Sequence, residues 1–173
     1  ADAAANALED LARFHARFEP DAARDAAAPW LRAPDRGPGS AATSGLMRWV
    51  LDQNAETLSR DYTAIGELYV AHHAWFHELW KAGPPTYVHG DLHIGNVFLD
   101  GDRVGFIDWG LSCTSTHLRD VSYFLTMSVD VEERRANERA LLRTYLDALR
   151  SAGGSAISFD DAWKAHRLHA SYT

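Results

Sequence analysis

The sequence predicts an α+β fold that is mostly α, with one small β-hairpin at its centre. Apolar residues recur at helical spacing through most of the chain, whereas short β-favouring runs cluster between 86 and 107. The turn Asp100-Gly101 folds the last two of those runs onto each other. With 173 residues, 46% of them hydrophobic, the chain can bury one core and is expected to form a single domain over 1–173.

The elements follow in order. Leu8, Leu11 and Phe14 set a helix over 3–18, which Pro20 closes. The stretch 33–43, rich in Pro, Gly and Ser, is expected to be loop. Its Gly-Pro-Gly is no phosphate loop, because no strand precedes it and no Gly-Lys-Ser/Thr follows. Two helices are expected over 45–57 and 59–81, the second with Tyr62, Ile65, Leu68, Tyr69, Phe76 and Leu79 along one face. Gly83-Pro84-Pro85 ends it. Strands are expected at 86–88, 97–99 and 104–107, then a loop after Gly110. Helices near 118–128, 131–151 and 159–172 complete a helical part over 117–173, with Gly153-Gly154 between the last two.

Composition narrows the function. Six Trp, six Tyr and seven Phe supply bulky packing groups and exclude a disordered chain. Seventeen basic residues against 24 acidic ones give a net charge of −7, which argues against a nucleic-acid surface. Cys113 is the only cysteine, so no internal disulfide forms; a small inert thiol and a cytoplasmic protein are expected. No apolar run approaches membrane-spanning length. His73 and His77 are spaced i,i+4, but Lys81 stands where a zinc-protease motif would need its third ligand, so they read as helix-packing groups. Trp30, Trp49, Trp75, Trp80 and Trp163 are expected to fill the core or line grooves. Trp109 is expected to pack in the core beside an acidic loop.

The chemistry lies in 86–110. Tyr87–Gly110 reads YVHGDLHIGNVFLDGDRVGFIDWG: a strand, a polar loop, a hairpin and a second acidic turn. Asp91, Asn96 and Asp108 place oxygen-bearing side chains on neighbouring loop ends. That donor set suits Mg²⁺, which takes one or two protein carboxylates alongside phosphate oxygens and water. A carboxylate five residues before an Asn can lie across the loop and accept a substrate hydroxyl proton. Each residue alone reads as turn chemistry; the joint pattern does not.

His89-Gly90-Asp91-Leu92-His93-Ile94-Gly95-Asn96, followed by Ile107-Asp108-Trp109-Gly110, resembles the catalytic and metal loops of the aminoglycoside phosphotransferase and choline kinase-like families, relatives of the protein kinases. Leu11–Ala16 is similar to the helix entering their carboxyl-terminal lobe, and Leu118–Leu125 to the helix after their metal loop. The resemblance implies the helical C-lobe of a protein kinase-like fold, with the hairpin bearing both loops. It implies ATP and Mg²⁺ as cofactors and a small-molecule acceptor with a hydroxyl group. Asp91 would be the catalytic base, and Asn96 and Asp108 would hold Mg²⁺ on the ATP phosphates. His93 would lie near the transferring phosphoryl group; His89 and Asp120 would support the loop. Nothing before Leu11 supplies the strand-borne lysine and its glutamate partner of such kinases. The amino-terminal nucleotide lobe is therefore expected to be absent, and the isolated chain to be inactive.

Two other readings compete. A metallophosphoesterase would need an upstream Asp-x-His and a His directly after Asn96, where Val97 stands. A non-catalytic kinase-like binding module would not need Asp91, Asn96 and Asp108 intact.

Overall fold

The structure, a computed structural model, describes residues 2–31, 39–101 and 103–172. Seven α-helices and four short strands occur among them: α1 (Asp2–Arg17), α2 (Asp21–Ala27), α3 (Gly39–Gln53), α4 (Arg60–Leu79), β1 (Pro85–Val88), β2 (Val97–Asp100), β3 (Arg103–Phe106), β4 (Cys113–Thr116), α5 (His117–Ser128), α6 (Val131–Ser151) and α7 (Phe159–His169). The mostly α class holds. The chain divides into two compact units, one formed by 1–33 with 82–173 and the other by 34–81.

In the larger unit, α1 lies against α6, and both join α5 in one hydrophobic cluster. Leu8, Leu11, Val121, Leu125, Leu142, Tyr145 and Leu149 are all but inaccessible to water there. Full burial of such side chains contributes about 1.5–3 kcal/mol each before ordering costs. Leu92, midway between Asp91 and His93, sits in the same cluster and pins the polar loop to the core, whereas Ile94 of the same loop is exposed. Side-chain caps start the later helices: Asp130 accepts from the Glu132 and Glu133 amides at α6, and Ser158 from the Asp161 amide at α7.

The β structure is richer than one hairpin. β2 and β3 pair antiparallel with Val97 opposite Phe106 and Asp100 opposite Arg103, so Asp100 ends the strand and the turn follows it. Phe98 faces Gly105, and its ring occupies the place where a Cβ at 105 would stand, 2.1 Å from Phe98 Cζ. A second two-stranded sheet pairs β1 with β4, Val88 opposite Cys113 and Pro85 opposite Thr116. The expected loop after Gly110 is thus partly strand. Cys-Thr-Ser-Thr lacks apolar alternation, and what extends it is its pairing with the largely buried β1.

Three further boundaries differ from expectation. Helix α3 begins at Gly39, so the end of the expected 33–43 loop is helical; 33–38 lie outside the described residues. Pro20 does not simply close α1 but stands at the N-cap of α2. That short helix is held by Arg24, whose guanidinium is buried and donates to the carbonyls of Phe18, Glu19 and Pro85. The last helix stops at His169 and ends in a 3-10 turn.

The smaller unit is the α3–α4 pair. Leu51 and Phe76 are buried, and Arg48 grips Glu67 through two bonds of 2.9 and 2.7 Å. Trp80 is buried and stacks on Tyr69, which also reaches His77. The expected apolar face of α4 is only partly covered, for Tyr62, Ile65, Leu68 and Trp75 are exposed, as is Trp49 on α3. A backbone departure at His72 kinks α4.

Candidate functional site

The site is built by α5 reaching under the loop that leaves β1. Asp120, one turn into α5, is fully buried. Its Oδ2 accepts from the His89 amide at 2.6 Å and its Oδ1 from the Gly90 amide at 2.9 Å. His15 of α1 approaches the same carboxylate through Nε2 at 3.3 Å, while its Nδ1 stands 2.7 Å from the Tyr145 hydroxyl of α6. Burial alone would raise the Asp120 pKa. The His15 ring and the two amides outweigh that and hold it below the ordinary carboxylate range. Burial, with the charges of Asp120 and Glu19, pushes the Tyr145 phenol well up. One buried carboxylate thereby fixes two successive loop amides, and the core helices fix the carboxylate.

His89 joins the two turns. Its Nε2 donates to the Ile107 carbonyl at 2.8 Å, and its Nδ1 accepts the Asp91 amide at 3.3 Å, which defines the tautomer. Trp109 packs on its ring at 4.6 Å and on Phe14 at 4.9 Å, with the indole N–H given to the Phe106 carbonyl. Trp109 packs beside the acidic loop as expected, but at 39% exposed it lies at the surface and not in the core. Gly90 adopts φ +85°, and a Cβ there would meet the Leu111 carbonyl oxygen at 2.3 Å, so only glycine fits.

Around that frame the polar side chains take their places. Asn96 is buried. Its Nδ2 donates to the Asp91 carbonyl at 2.9 Å, and its backbone carbonyl accepts the Ile107 amide at 3.0 Å. The loop carrying Asp91 and Asn96 is thus bonded to both backbone groups of Ile107, the residue before Asp108. Asp91 keeps 29% of its side chain exposed, and its Oδ1 accepts from the Tyr123 hydroxyl of α5 at 2.9 Å. His93 starts a 3-10 turn over Ile94–Asn96 by accepting the Gly95 amide on Nδ1. A ring accepting there carries its proton on Nε2, which lies 3.7 Å from Asp91 Oδ2. It cannot then also accept from the Asn96 amide 3.3 Å away.

Asp108 is exposed and is the one non-glycine residue at positive φ among those described, at φ 62° and ψ 63°. A β-unbranched Asp in that region costs of order 1 kcal/mol and is held by its surroundings. Here those surroundings are the His89 and Asn96 bonds to Ile107 on one side and the Trp109 packing on the other.

The donor set fits a hard divalent cation. With Nδ2 of Asn96 engaged on backbone, its Oδ1 is the group left to bind a ligand, and Asp108 adds an exposed carboxylate that caps no helix. No cluster of three or more His, Cys, Asp or Glu exists among the described residues. Cys113 is buried, and burial pushes its thiol up, against reactivity. Beside Trp109, a pocket of about 240 Å³ opens between Phe14, Phe18, Trp30, Leu31 and Tyr87. Trp30 is therefore a pocket wall and not a core residue.

Sequence reasoning passed over Tyr123, although it lies one turn from Asp120 on the same helix, a spacing that puts both on one face. The His15–Tyr145 pair left no signal, since a lone histidine on an apolar helix face reads as packing.

The architecture is that of a phosphotransferase of kinase-like fold. The profile of the phosphotransferase enzyme family (APH) matches residues 1–155, and the chain belongs to that family. Eight chains among solved structures match it. One is the macrolide 2'-phosphotransferase MphH of Brachybacterium faecium in its apoenzyme form, with a TM-score of 0.53 and 18% identity over 97% of this chain and 50% of that one. The chain spans about half the length of that enzyme. No curated protein matches it. No helix among the described residues is long and apolar enough to cross a membrane.

Proposed function

We propose that this chain is the catalytic lobe of an ATP-dependent small-molecule kinase, working in the cytoplasm on the hydroxyl group of an alcohol acceptor. The observation that carries the reading is the joint bonding of the two turns. Asn96 is tied to Asp91 and Ile107, and His89 to Asp91 and Ile107, which leaves the Asp91 and Asp108 carboxylates on adjoining loop ends.

Asp91 accepts the acceptor's hydroxyl proton as that oxygen forms a bond to the γ-phosphorus of ATP. The bond from the γ-phosphorus to the bridging oxygen breaks, and its electron pair leaves with ADP. Asn96 and Asp108 would hold Mg²⁺, whose charge would offset that of the phosphates. His93, with Nε2 on the Asp91 side of the loop, would face the transferring group. Positioning and charge neutralisation supply most of the rate. The site as read needs a nucleotide-binding lobe over the ATP phosphates, and without one it would turn over ATP poorly.

The test is ATP consumption by the polypeptide carrying its nucleotide lobe, screened against macrolides, aminoglycosides, choline-like amino alcohols and steroid alcohols. Asp91→Asn should lower kcat by at least ~10² with the best acceptor found. Full turnover by that variant would refute the role of Asp91. Hydrolysis of an aryl phosphate with Mn²⁺ and no ATP would favour a metallophosphoesterase instead.

A further inference from the structure

Helix α5 touches the catalytic loop at three points. Asp120 holds the amides of His89 and Gly90, and Ser128 Oγ stands 3.5 Å from the Leu92 carbonyl. The third is of another kind, because Tyr123 reaches a side chain and not backbone. Its hydroxyl donates to Asp91 Oδ1 at 2.9 Å. The tyrosine is half-buried, whereas its helix neighbours Val121, Phe124 and Leu125 are buried in the hydrophobic cluster.

An aspartate's terminal torsion is broad and nearly two-fold, so an unheld carboxylate presents either oxygen to an incoming group. Asp91 is held at one oxygen only. Oδ1 takes the Tyr123 hydroxyl, whereas Oδ2 takes no hydrogen bond among the described residues and has His93 Nε2 at 3.7 Å, beyond bonding distance. Asp120 sits three residues before Tyr123 on α5 and fixes the backbone on which Asp91 is mounted. One rigid helix therefore sets both the position of the loop and the rotation of its carboxylate.

Resting on the reading of Asp91 as the base, we propose that Tyr123 is a positioning residue that locks the Asp91 carboxylate and makes Oδ2 the oxygen that receives the acceptor's proton. The hydroxyl keeps its own proton throughout and touches no substrate.

The test uses the polypeptide complete with its nucleotide lobe and follows Mg·ATP hydrolysis with water as the phosphoryl acceptor, so no acceptor need be known. Tyr123→Phe removes one oxygen. It should lower kcat roughly 5- to 20-fold and leave the KM for ATP within about two-fold, the split expected when only transition-state geometry is lost. Replacing Tyr123 by p-aminophenylalanine restores a donor and should recover most of kcat. In an Asp91→Asn background, Tyr123→Phe should cause no further loss, since the group it acts through is gone. A carboxyl-¹³C aspartate signal, assigned to Asp91 by its disappearance in Asp91→Asn, should move in Tyr123→Phe at fixed pH; this can be read in the lobe itself. An unchanged kcat in Tyr123→Phe, or an equal further loss in the Asp91→Asn background, would overturn the inference and leave Asp91 as the base. Undiminished hydrolysis by Asp91→Asn alone would sink the underlying reading instead.

Discussion

Gly90 and Leu111 meet backbone to backbone: a single carbon added at Gly90 would stand 2.3 Å from the Leu111 carbonyl oxygen. The turn carrying Asp91 and the segment after Asp108 are packed so closely that neither can shift alone. Gly90→Ala must both leave the positive-φ region and displace 111. The cost should be about 2–4 kcal/mol, measured as a fall in the urea midpoint at unchanged m-value. A variant as stable as the parent would show that the two turns are not locked together.

Asp120 gives the second prediction. The carboxylate is buried and accepts from two backbone amides and approaches His15, so removing it strands those donors. Asp120→Ala should cost about 3–5 kcal/mol and release the loop, seen as faster amide exchange at His89 and Gly90. Asp120→Asn keeps shape and one acceptor and should cost less. Equal losses in the two variants would mean that charge, not acceptor count, sets the strength of the tie.

At Asp108 the prediction separates function from fold. The residue is exposed, makes no cap, and sits at φ 62°, so its carboxylate contributes little to packing. Asp108→Ala should melt within about 2 °C of the parent and weaken Mg·ATP binding in the two-lobed polypeptide. Asp108→Gly, which relieves the backbone, should be slightly more stable, by about 0.5–1 kcal/mol. Unfolding of Asp108→Ala would make the residue structural.

How much of this could be read in the sequence depended on whether the signal was local. The helices α1, α6 and α7 declare themselves by the spacing of their apolar residues, and the β2–β3 hairpin by its Asp-Gly turn. Asp91, Asn96 and Asp108 stand out because their spacing is fixed by a short loop and a tight hairpin. β4 does not, because Cys113–Thr116 is extended by pairing with β1, a partner 25 or more residues away. Tyr123 and His15 were hidden for the same reason. Their meaning lies in what they reach across the fold, at Asp91 and at Asp120. The exposure of Trp49 and Trp75 could not be foreseen either, since bulk predicts burial on average and not at any one site.

The last prediction concerns acid. His117 and His169 are buried, and burial above all depresses both to about 4 from the ordinary 6.5. His15 adds to the shift at His117, and Arg119 and His166 add to it at His169. His117 Nε2 does stand 2.7 Å from Glu19 Oε1, an ion-pair distance, but without hydrogen-bond alignment, and Glu19 already accepts from Ser155. Burial wins there. Both ring nitrogens of His169 lack a hydrogen-bond partner among the described residues. Between pH 6.5 and 4 the unfolded chain binds these protons and the folded chain does not, so stability falls as pH drops through that window and levels off below it. Each histidine contributes at most about 3 kcal/mol to the fall. Asp10 and Asp120, held below the ordinary 3.8, act only lower down: their stabilisation is intact above that pH and is lost beneath it. Urea unfolding at pH 7, 6, 5 and 4 should show the decline. His169→Leu should roughly halve it, the His117 share remaining, while leaving the stability at pH 7 unchanged or higher, because two unpaired buried nitrogens are removed. A parent whose stability is flat from pH 7 to 4 would mean that the two rings gain protons as readily folded as unfolded.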